Sequence, residues 1–377
     1  KLNYIGKTKS NQFAFNSYLR YQSQPQEVCF SDGDSLMQNQ QRDEKRFYTT
    51  NDIQMAYYSG PSELSLTAGF KLETNRIRSS MNEVPEFLKD SVTSSQWNYL
   101  EAGVFVRPSY VFKGKGYNIN LTVPLIWQKT DAGKQGSDKQ SFHHFVWTPS
   151  LRFYWKFHHF WEFMATGSYK HSPTSYMNLN DTYYYKNRNL LQRGIDGLGM
   201  DKQTQGSLNL YYRNPFHAFW SRLNMTYTQN KSDLISGYDF IGTQPIYTWQ
   251  MANRSYKQFN VRGNVGKIVD AIQTNLDVSI GYSHTLYTQY QQKTLRDTRS
   301  NQGYFIFNSN TRITSWWDWE LTWNSVVSHN NGYETLWNHQ LATNMTFSFG
   351  QWTFIPKLDY TRNQLDASQF KDAALLH

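Results

Sequence analysis

The chain has a single cysteine, Cys29. No internal disulfide and no multi-cysteine metal site can be built from it. No run approaches the ~20 consecutive apolar residues of a membrane helix, and mean hydropathy is −0.72. The opening residues KLNYIGKTKS lack the charged start and apolar core of a secretory leader, which implies a leader that is absent or already removed. No amphipathic helix longer than two turns is legible, and no linker divides the chain, so 1–377 reads as one domain. GxSxG is missing, as is any Ser/His or Asp/His grouping that would supply a nucleophile with its base. The residues therefore point away from an enzyme and imply no cofactor. Net charge is +9, but Lys and Arg are spread along the chain without the dense patch that nucleic-acid binding requires.

Rings are what the chain has in excess. Aromatic residues make up 17%, with 27 Tyr, 24 Phe and 13 Trp. Disordered chains are poor in such residues, so this one folds. In FVWTPSLRFYWKFHHFWEFMATGSY (145–169) the apolar groups fall on odd positions, from Phe145 through Trp155 and Phe157 to Trp161 and Phe163. The even positions include Arg152, Lys156 and Glu162. That period of two is a strand signal. Strand-like runs recur at 11–22, 48–59, 63–76, 97–112, 117–130, 143–157, 161–171, 204–212, 219–230, 256–265, 272–287, 302–313, 319–328, 339–349 and 352–364.

Short and long connections alternate without exception. The short ones are Gly60-Pro61, KGKG at 113–116, the region of His158-His159, RNPFHA at 213–218, GKIVDA at 266–271, TSWWD at 314–318 and Gly350-Gln351. Long polar stretches lie at 23–47, 77–96, 131–142, 172–203, 231–255, 288–301 and 329–338. Two strands of a hairpin must present their apolar residues on one face, which constrains turn parity. Three turn residues, His158 to Phe160, would pair Phe157 with Trp161 and Trp155 with Phe163. KGKG would pair Phe112 with Tyr117. Gly350-Gln351 would be a two-residue turn with Gly first, as type II′ prefers.

A soluble sandwich or propeller also alternates. Its strands, however, average ~5–6 residues, and these are about twice as long, enough to cross a bilayer at a tilt. Rings crowd the short-turn end: Phe112, Trp155, Phe157, Trp161, Phe163, Trp319, Phe349 and Trp352 form an interfacial belt. The opposite face is polar but sparsely charged. The reading is all-β: a transmembrane antiparallel up-and-down β-barrel in the outer membrane of a Gram-negative bacterium. It would sit among outer-membrane lipids and lipopolysaccharide. About fifteen strands are countable, whereas bacterial single-chain barrels have an even number. The last run also ends on the long-loop side, so the expectation is an incomplete barrel with no plug domain visible.

The long strands, the ring belt, SPTSYMNLNDTYYYKNRN (172–189) and YYRNPFHAFWSRLNMTYTQNKSD (211–233) resemble barrels of TonB-dependent receptors from Bacteroidota. That resemblance implies a 22-stranded barrel, an N-terminal plug, coupling to TonB, import of a large or scarce solute, and in some cases a partner surface lipoprotein. The alternative is a plug-less barrel serving as a structural or assembly subunit of an outer-membrane complex.

Candidate sites follow from placement. His143-His144 and His158-His159 lie 15 residues apart in sequence, roughly 50 Å along a strand, so they form no single metal site and read as interfacial or turn residues. By parity Arg152, Arg222, Arg262, Arg312 and Glu320 line the lumen, either in salt bridges to wall or plug or as a ladder for an anionic solute. Tyr183, Tyr184, Tyr185 and Arg188 in one loop, with Tyr247 and Trp249 in another, either stack on a flat ligand or pack the loops together. The face assignment predicts that Trp155→Arg impairs barrel assembly more than Arg152→Ala. The fraction of heat-modifiable barrel on a gel measures this, and equal tolerance of both substitutions contradicts the assignment.

Overall fold

The period of two becomes one antiparallel sheet. A computed structural model describes every residue except 1, 9, 32–36, 82–87, 89–92, 137–138, 175–177, 179–181, 188–189, 196, 243, 292, 332–334, 366–372 and 377. β1 (Leu2–Lys7) leads into the long strands β2 (Asn11–Ser31), β3 (Met37–Ser59), β4 (Ser62–Met81) and β5 (Ser94–Lys113). Four shorter segments follow, β6 (Tyr117–Thr122), β7 (Leu125–Lys134), β8 (Gln140–Trp147) and β9 (Ser150–His158). β10 (Trp161–Pro173) precedes a small hairpin, β11 (Tyr183–Asn187) and β12 (Leu190–Arg193). β13 (Met200–Asn214), β14 (Phe219–Ile241), β15 (Gln244–Val269), β16 (Thr274–Gln291) and β17 (Thr294–Thr314) are long again. The remaining segments are β18 (Trp317–Asn330), β19 (Thr335–Phe349), β20 (Trp352–Phe354), β21 (Lys357–Leu365) and β22 (Ala373–Leu376).

All 22 segments belong to one sheet. Each of the fifteen expected runs has its counterpart in it, the run at 272–287 starting only at Thr274. The seven additional segments have three origins. Pro124, Pro149 and Pro356 carry no N–H, so each interrupts the ladder and splits an expected strand into β6/β7, β8/β9 and β20/β21. β11 and β12 form inside the expected loop 172–203, and β1 and β22 flank the rest. The proline carbonyls still accept: Thr148 N donates to Pro124 O at 3.1 Å and Tyr169 N to Pro149 O at 3.0 Å. Among the described residues, β1 pairs only with β2 and β22 only with β21.

Four expectations are corrected. First, the long connections are mostly strand. β2 and β3 pair continuously from Asn11↔Tyr57 to Ser31↔Met37, and β16 and β17 from Thr274↔Thr311 to Gln291↔Thr294. Beyond the membrane both faces meet polar surroundings, so the alternation fades while the backbone ladder continues. Second, Phe112 pairs with Ile119 and Lys113 with Asn118, not Phe112 with Tyr117. Gly114 N bonds Tyr117 O at 2.8 Å, so the turn tightens around Tyr117, whose ring stacks on Phe112 at 5.4 Å. Third, Trp161 pairs with His158, and a register shift restores Trp155↔Phe163. The Phe157 and Trp161 rings nevertheless stack at 6.2 Å. The expected turn at 266–271 lies instead at Asp270–Ile272 with Gln273 left-handed, because β15 runs on to Val269. The Gly60-Pro61 and Gly350-Gln351 turns are as expected: Ser59 pairs Ser62, Phe349 pairs Trp352, and both glycines have positive φ, +56° and +59°.

Register fixes the two faces. Leu208↔Met225↔Val261 and Phe305↔Ile280↔Gly263 put aliphatics and rings together on one side. At its short-turn end, contacting rings run from β9 to β14: Trp155–Phe157 at 4.9 Å, Trp161–Tyr212 at 4.7 Å and Tyr212–Phe219 at 5.7 Å. Phe153–Phe163 at 6.1 Å and Trp316–Phe349 at 5.1 Å extend the belt. Trp319 donates from Nε1 to Thr343 Oγ1 at 2.7 Å, and Trp352 is 82% exposed. A water-soluble sheet would bury such a face. Ile280 sits mid-band, 60% exposed, whereas Ile306 is on the opposite face, opposite Ser279. Ile280→Arg should therefore cost about 2–4 kcal/mol in liposomes and Ile306→Arg less than half of that. Denaturant unfolding of the full-length barrel measures both, and equal costs contradict the facing.

Candidate functional site

The inner wall divides into two chemically different halves. Over β3–β8 the polar residues compensate one another. Arg46 Nε lies 2.8 Å from Glu73 Oε1, and Asn75 donates to Glu44 Oε1 at 2.9 Å. Lys71 is bonded to Glu101 and donates to Gln128 Oε1 at 2.9 Å. Tyr99 OH donates to Glu101 Oε2 at 2.6 Å. Over β9–β17 Lys156 lies 3.9 Å from Glu162 Oε1, but three arginines find neutral partners. Arg152 reaches Met164 Sδ at 3.5 Å. Arg222 donates to Asn209 Oδ1 at 3.4 Å and lies over the Tyr211 ring at 4.9 Å. Arg262 donates to Ser279 Oγ at 3.4 Å and lies 5.9 Å from the Tyr304 ring centroid. Asp277 on this stretch is taken by Asn264, at 2.8 Å and 2.9 Å. Nearer the short turns, Arg312 pairs with Asp318 at 3.1 Å, and Glu320 accepts from Asn310 and Asn344 at 3.4 Å.

The two aromatic loop segments meet above this wall. After a register shift between Ser232 and Leu234, the outer part of the β14–β15 hairpin changes neighbours. β14 pairs in parallel with β16, Gly237↔Tyr290 and Tyr238↔Gln291. β15 pairs in parallel with β12, Leu191↔Ile246 to Arg193↔Thr248. In the wall β14 and β16 run in the same direction on either side of β15, so their direct contact here requires the hairpin tip to fold over. The result is a small sheet in the order β11–β12–β15–β14–β16. Gly237 makes it possible: a Cβ there would lie 1.9 Å from Tyr290 O.

This sheet also anchors on the other half of the wall. Met81, Leu88, Tyr185, Leu191 and Ile246 form one buried cluster, with Tyr183 and Ile241 against it. Gln40 Oε1 accepts from Tyr185 N at 2.5 Å. Arg42 lies 5.3 Å from the Tyr184 ring centroid. Burial pushes the Tyr184 hydroxyl above its ordinary pKa, and the Arg42 guanidinium draws it partly back. Leu198 packs on Ile77, Trp97, Tyr99 and Ala132.

The proposed ligand rings thus separate into two groups. Tyr184 and Tyr185 are 9% and 6% exposed and pack the hairpin down. Tyr247 and Trp249 meet at 5.9 Å, Tyr238 joins Tyr247 at 5.4 Å, and Lys186 lies over Tyr247 at 5.2 Å. Tyr183 carries Arg193 over its ring at 5.2 Å. Arg188 lies outside the described residues. His144 faces inward opposite Gln128, and His158 and His159 sit at the β9–β10 turn. Sequence reasoning missed Gln40, Arg42 and Gly237, because their partners are more than 50 residues distant and no local pattern marks them.

No family model matches the chain, and no curated protein matches it. Solved structures do. The copper transporter OprC superposes with a TM-score of 0.57 at 10% identity, over 96% of this chain and 58% of that one. The fold is that of an outer-membrane β-barrel. The siderophore receptor PirA from Pseudomonas aeruginosa gives a TM-score of 0.38 at 11% identity over 99% and 74% of the two chains. The β domain of the Bordetella autotransporter BrkA gives 0.19 at 8% over 90% and 100%. Scores this low carry no weight. The chain thus spans 58% of OprC's length, and an outer-membrane barrel is a protein of Gram-negative bacteria.

Gly237→Ala should undock the hairpin tip without melting the wall. Hydrogen exchange on the full-length protein should speed up at Leu234–Ile241 and stay unchanged at Leu223–Gln229. Unchanged protection at the tip contradicts the requirement for glycine.

Proposed function

We propose that the chain is the barrel of a TonB-dependent-receptor-type importer that takes a large or scarce solute across the outer membrane. Its partners would be TonB on the periplasmic side and a surface lipoprotein outside, and its source a Bacteroidota species. The observation that carries this reading is the sheet folded across the loop end, anchored on both halves of the wall. A passive pore needs an open mouth, whereas a gated importer needs one that closes over its solute. The partly exposed group Tyr238, Tyr247, Trp249 and Lys186 supplies ring faces and a cation for first contact. Below it, Arg152, Arg222 and Arg262 have no carboxylate partner among the described residues, which suits an anionic solute: the charge it brings meets donors that are already in place.

Uptake in intact cells carrying the full-length protein tests the reading. Solutes lost on gene deletion should be recovered with the wild-type gene, and their uptake should stop when TonB is removed or the proton-motive force is collapsed. Arg222→Ala with Arg262→Ala should weaken uptake of an anionic solute by at least about tenfold, since hydrogen bonds to charged groups contribute about 1.5–3 kcal/mol each. Uptake that survives loss of TonB overturns energy coupling. Unchanged uptake of all solutes, together with loss of an outer-membrane complex on native gels, favours the structural-subunit alternative instead.

A further inference from the structure

We propose that the outer wall of β13–β17 carries a binding site for the phosphate groups of a glycolipid headgroup in the outer leaflet. The proposal rests on the membrane placement of the fold and not on the import reading. Outward-facing residues along β14 run Phe219, Ser221, Leu223, Met225, Tyr227, Gln229, Lys231, from the short-turn end to the loop end. Tyr227, Phe259 and Tyr282 are rings on adjacent strands, 40%, 41% and 45% exposed, and mark the upper edge of the apolar band. Cations lie directly above them. Lys257 is two residues beyond Phe259 and Lys231 four beyond Tyr227, on the same face.

Register places these cations side by side. Lys202 is the partner of Lys231, about 5 Å away across one strand spacing. Lys257 is the partner of Leu286, which is the partner of Arg299, so the two cations flank Leu286 about 10 Å apart. Like charges directly opposite one another destabilise a sheet. Among the described residues none of the four makes an ion pair. Outward-facing lysines on the other side of the wall do: Lys45 with Asp43 at 3.7 Å and Lys129 with Asp131 at 3.1 Å. The carboxylate of this patch, Asp297, accepts from Thr288 at 2.8 Å.

A depression of about 530 Å³ lies here, lined among others by Lys257, Leu286, Asp297, Arg299, Asn301 and His329. The Asn301 Oδ1 accepts from Tyr282 OH at 2.9 Å and contacts His284 Nδ1 at 2.6 Å. Its amide nitrogen is thereby left to donate. His329 Nδ1 meets Thr335 Oγ1 at 3.1 Å, leaving Nε2. Lys257, Arg299, the Asn301 amide and the His329 ring make a donor-rich set, which is the chemistry a phosphate needs. The site faces sideways, just on the loop side of Tyr227, Phe259 and Tyr282, so a headgroup anchored in the leaflet reaches it and Leu286 offers it an apolar contact.

The test uses the full-length protein extracted from outer membranes, with native mass spectrometry to count retained diphosphorylated glycolipid. Lys257→Ala with Arg299→Ala should lower retention and reloading affinity about 10- to 30-fold, given the contribution of each cation near an anionic surface. Lys257→Arg with Arg299→Lys should retain the lipid, as should the inner-face pair Arg222→Ala with Arg262→Ala. Heat-modifiable migration checks that each variant folds. Dephosphorylated glycolipid should reload at least tenfold more weakly. Equal retention in all variants overturns the site, because the lipid would then be held by the apolar band alone. Displacement by millimolar inorganic phosphate also overturns it, in favour of a free-anion site.

Discussion

The structure depends on one constraint. Inside a bilayer no water is present to satisfy backbone N–H and C=O groups, and each one left unpaired costs several kcal/mol. A chain without long apolar runs cannot meet that demand with helices. It meets it with a ladder that runs from β2 to β21 and links each strand to the next. The side chains are then free to differ by face. One face carries Trp155, Met225 and Ile280 toward lipid, and the other carries Arg152, Asn224 and Arg262 inward. Even the prolines respect the ladder: at Pro124 and Pro149 the missing donor is confined to one residue, and the carbonyl still accepts.

Above the membrane the constraint relaxes and the strands do something else. Water can satisfy an edge there, so β14 and β15 are free to leave their wall partners and take new ones. The bulge after Ser232 and the absent side chain of Gly237 let the hairpin tip lie against Tyr290. β11–β12 then joins two distant parts of the wall through Tyr185, Leu191 and Ile246. Docking of the hairpin tip is thus a packing event, carried by apolar side chains, whereas the wall is a hydrogen-bonding one.

Much of the wall was legible from residue parity alone. The fifteen runs, the faces of Arg152, Arg222, Arg262, Arg312 and Glu320, and the ring belt all follow from alternation, because lipid enforces it at every second residue. Register at the turns was less legible. Parity says that two strands agree in face, but it cannot distinguish Phe112↔Tyr117 from Phe112↔Ile119, which present the same faces. Outside the bilayer alternation stops reporting, so the strand extensions read as loops. The candidate site was legible only as composition. Tyr183 to Tyr185 are alike in sequence, yet Tyr184 and Tyr185 are buried by contacts with β3 and β4 that lie about 100 or more residues upstream, while Tyr247 and Trp249 keep a partly open face.

The central claim is that odd positions of β9 face lipid and even positions face the lumen. Spin labels placed singly at 151 to 157, with Cys29 replaced by serine, test it in liposomes holding the full-length protein. Collision with oxygen, which concentrates in lipid, should be high at 151, 153, 155 and 157. Collision with a water-soluble nickel chelate should be high at 152, 154 and 156. A smooth gradient along the strand, with no period of two, would contradict the account.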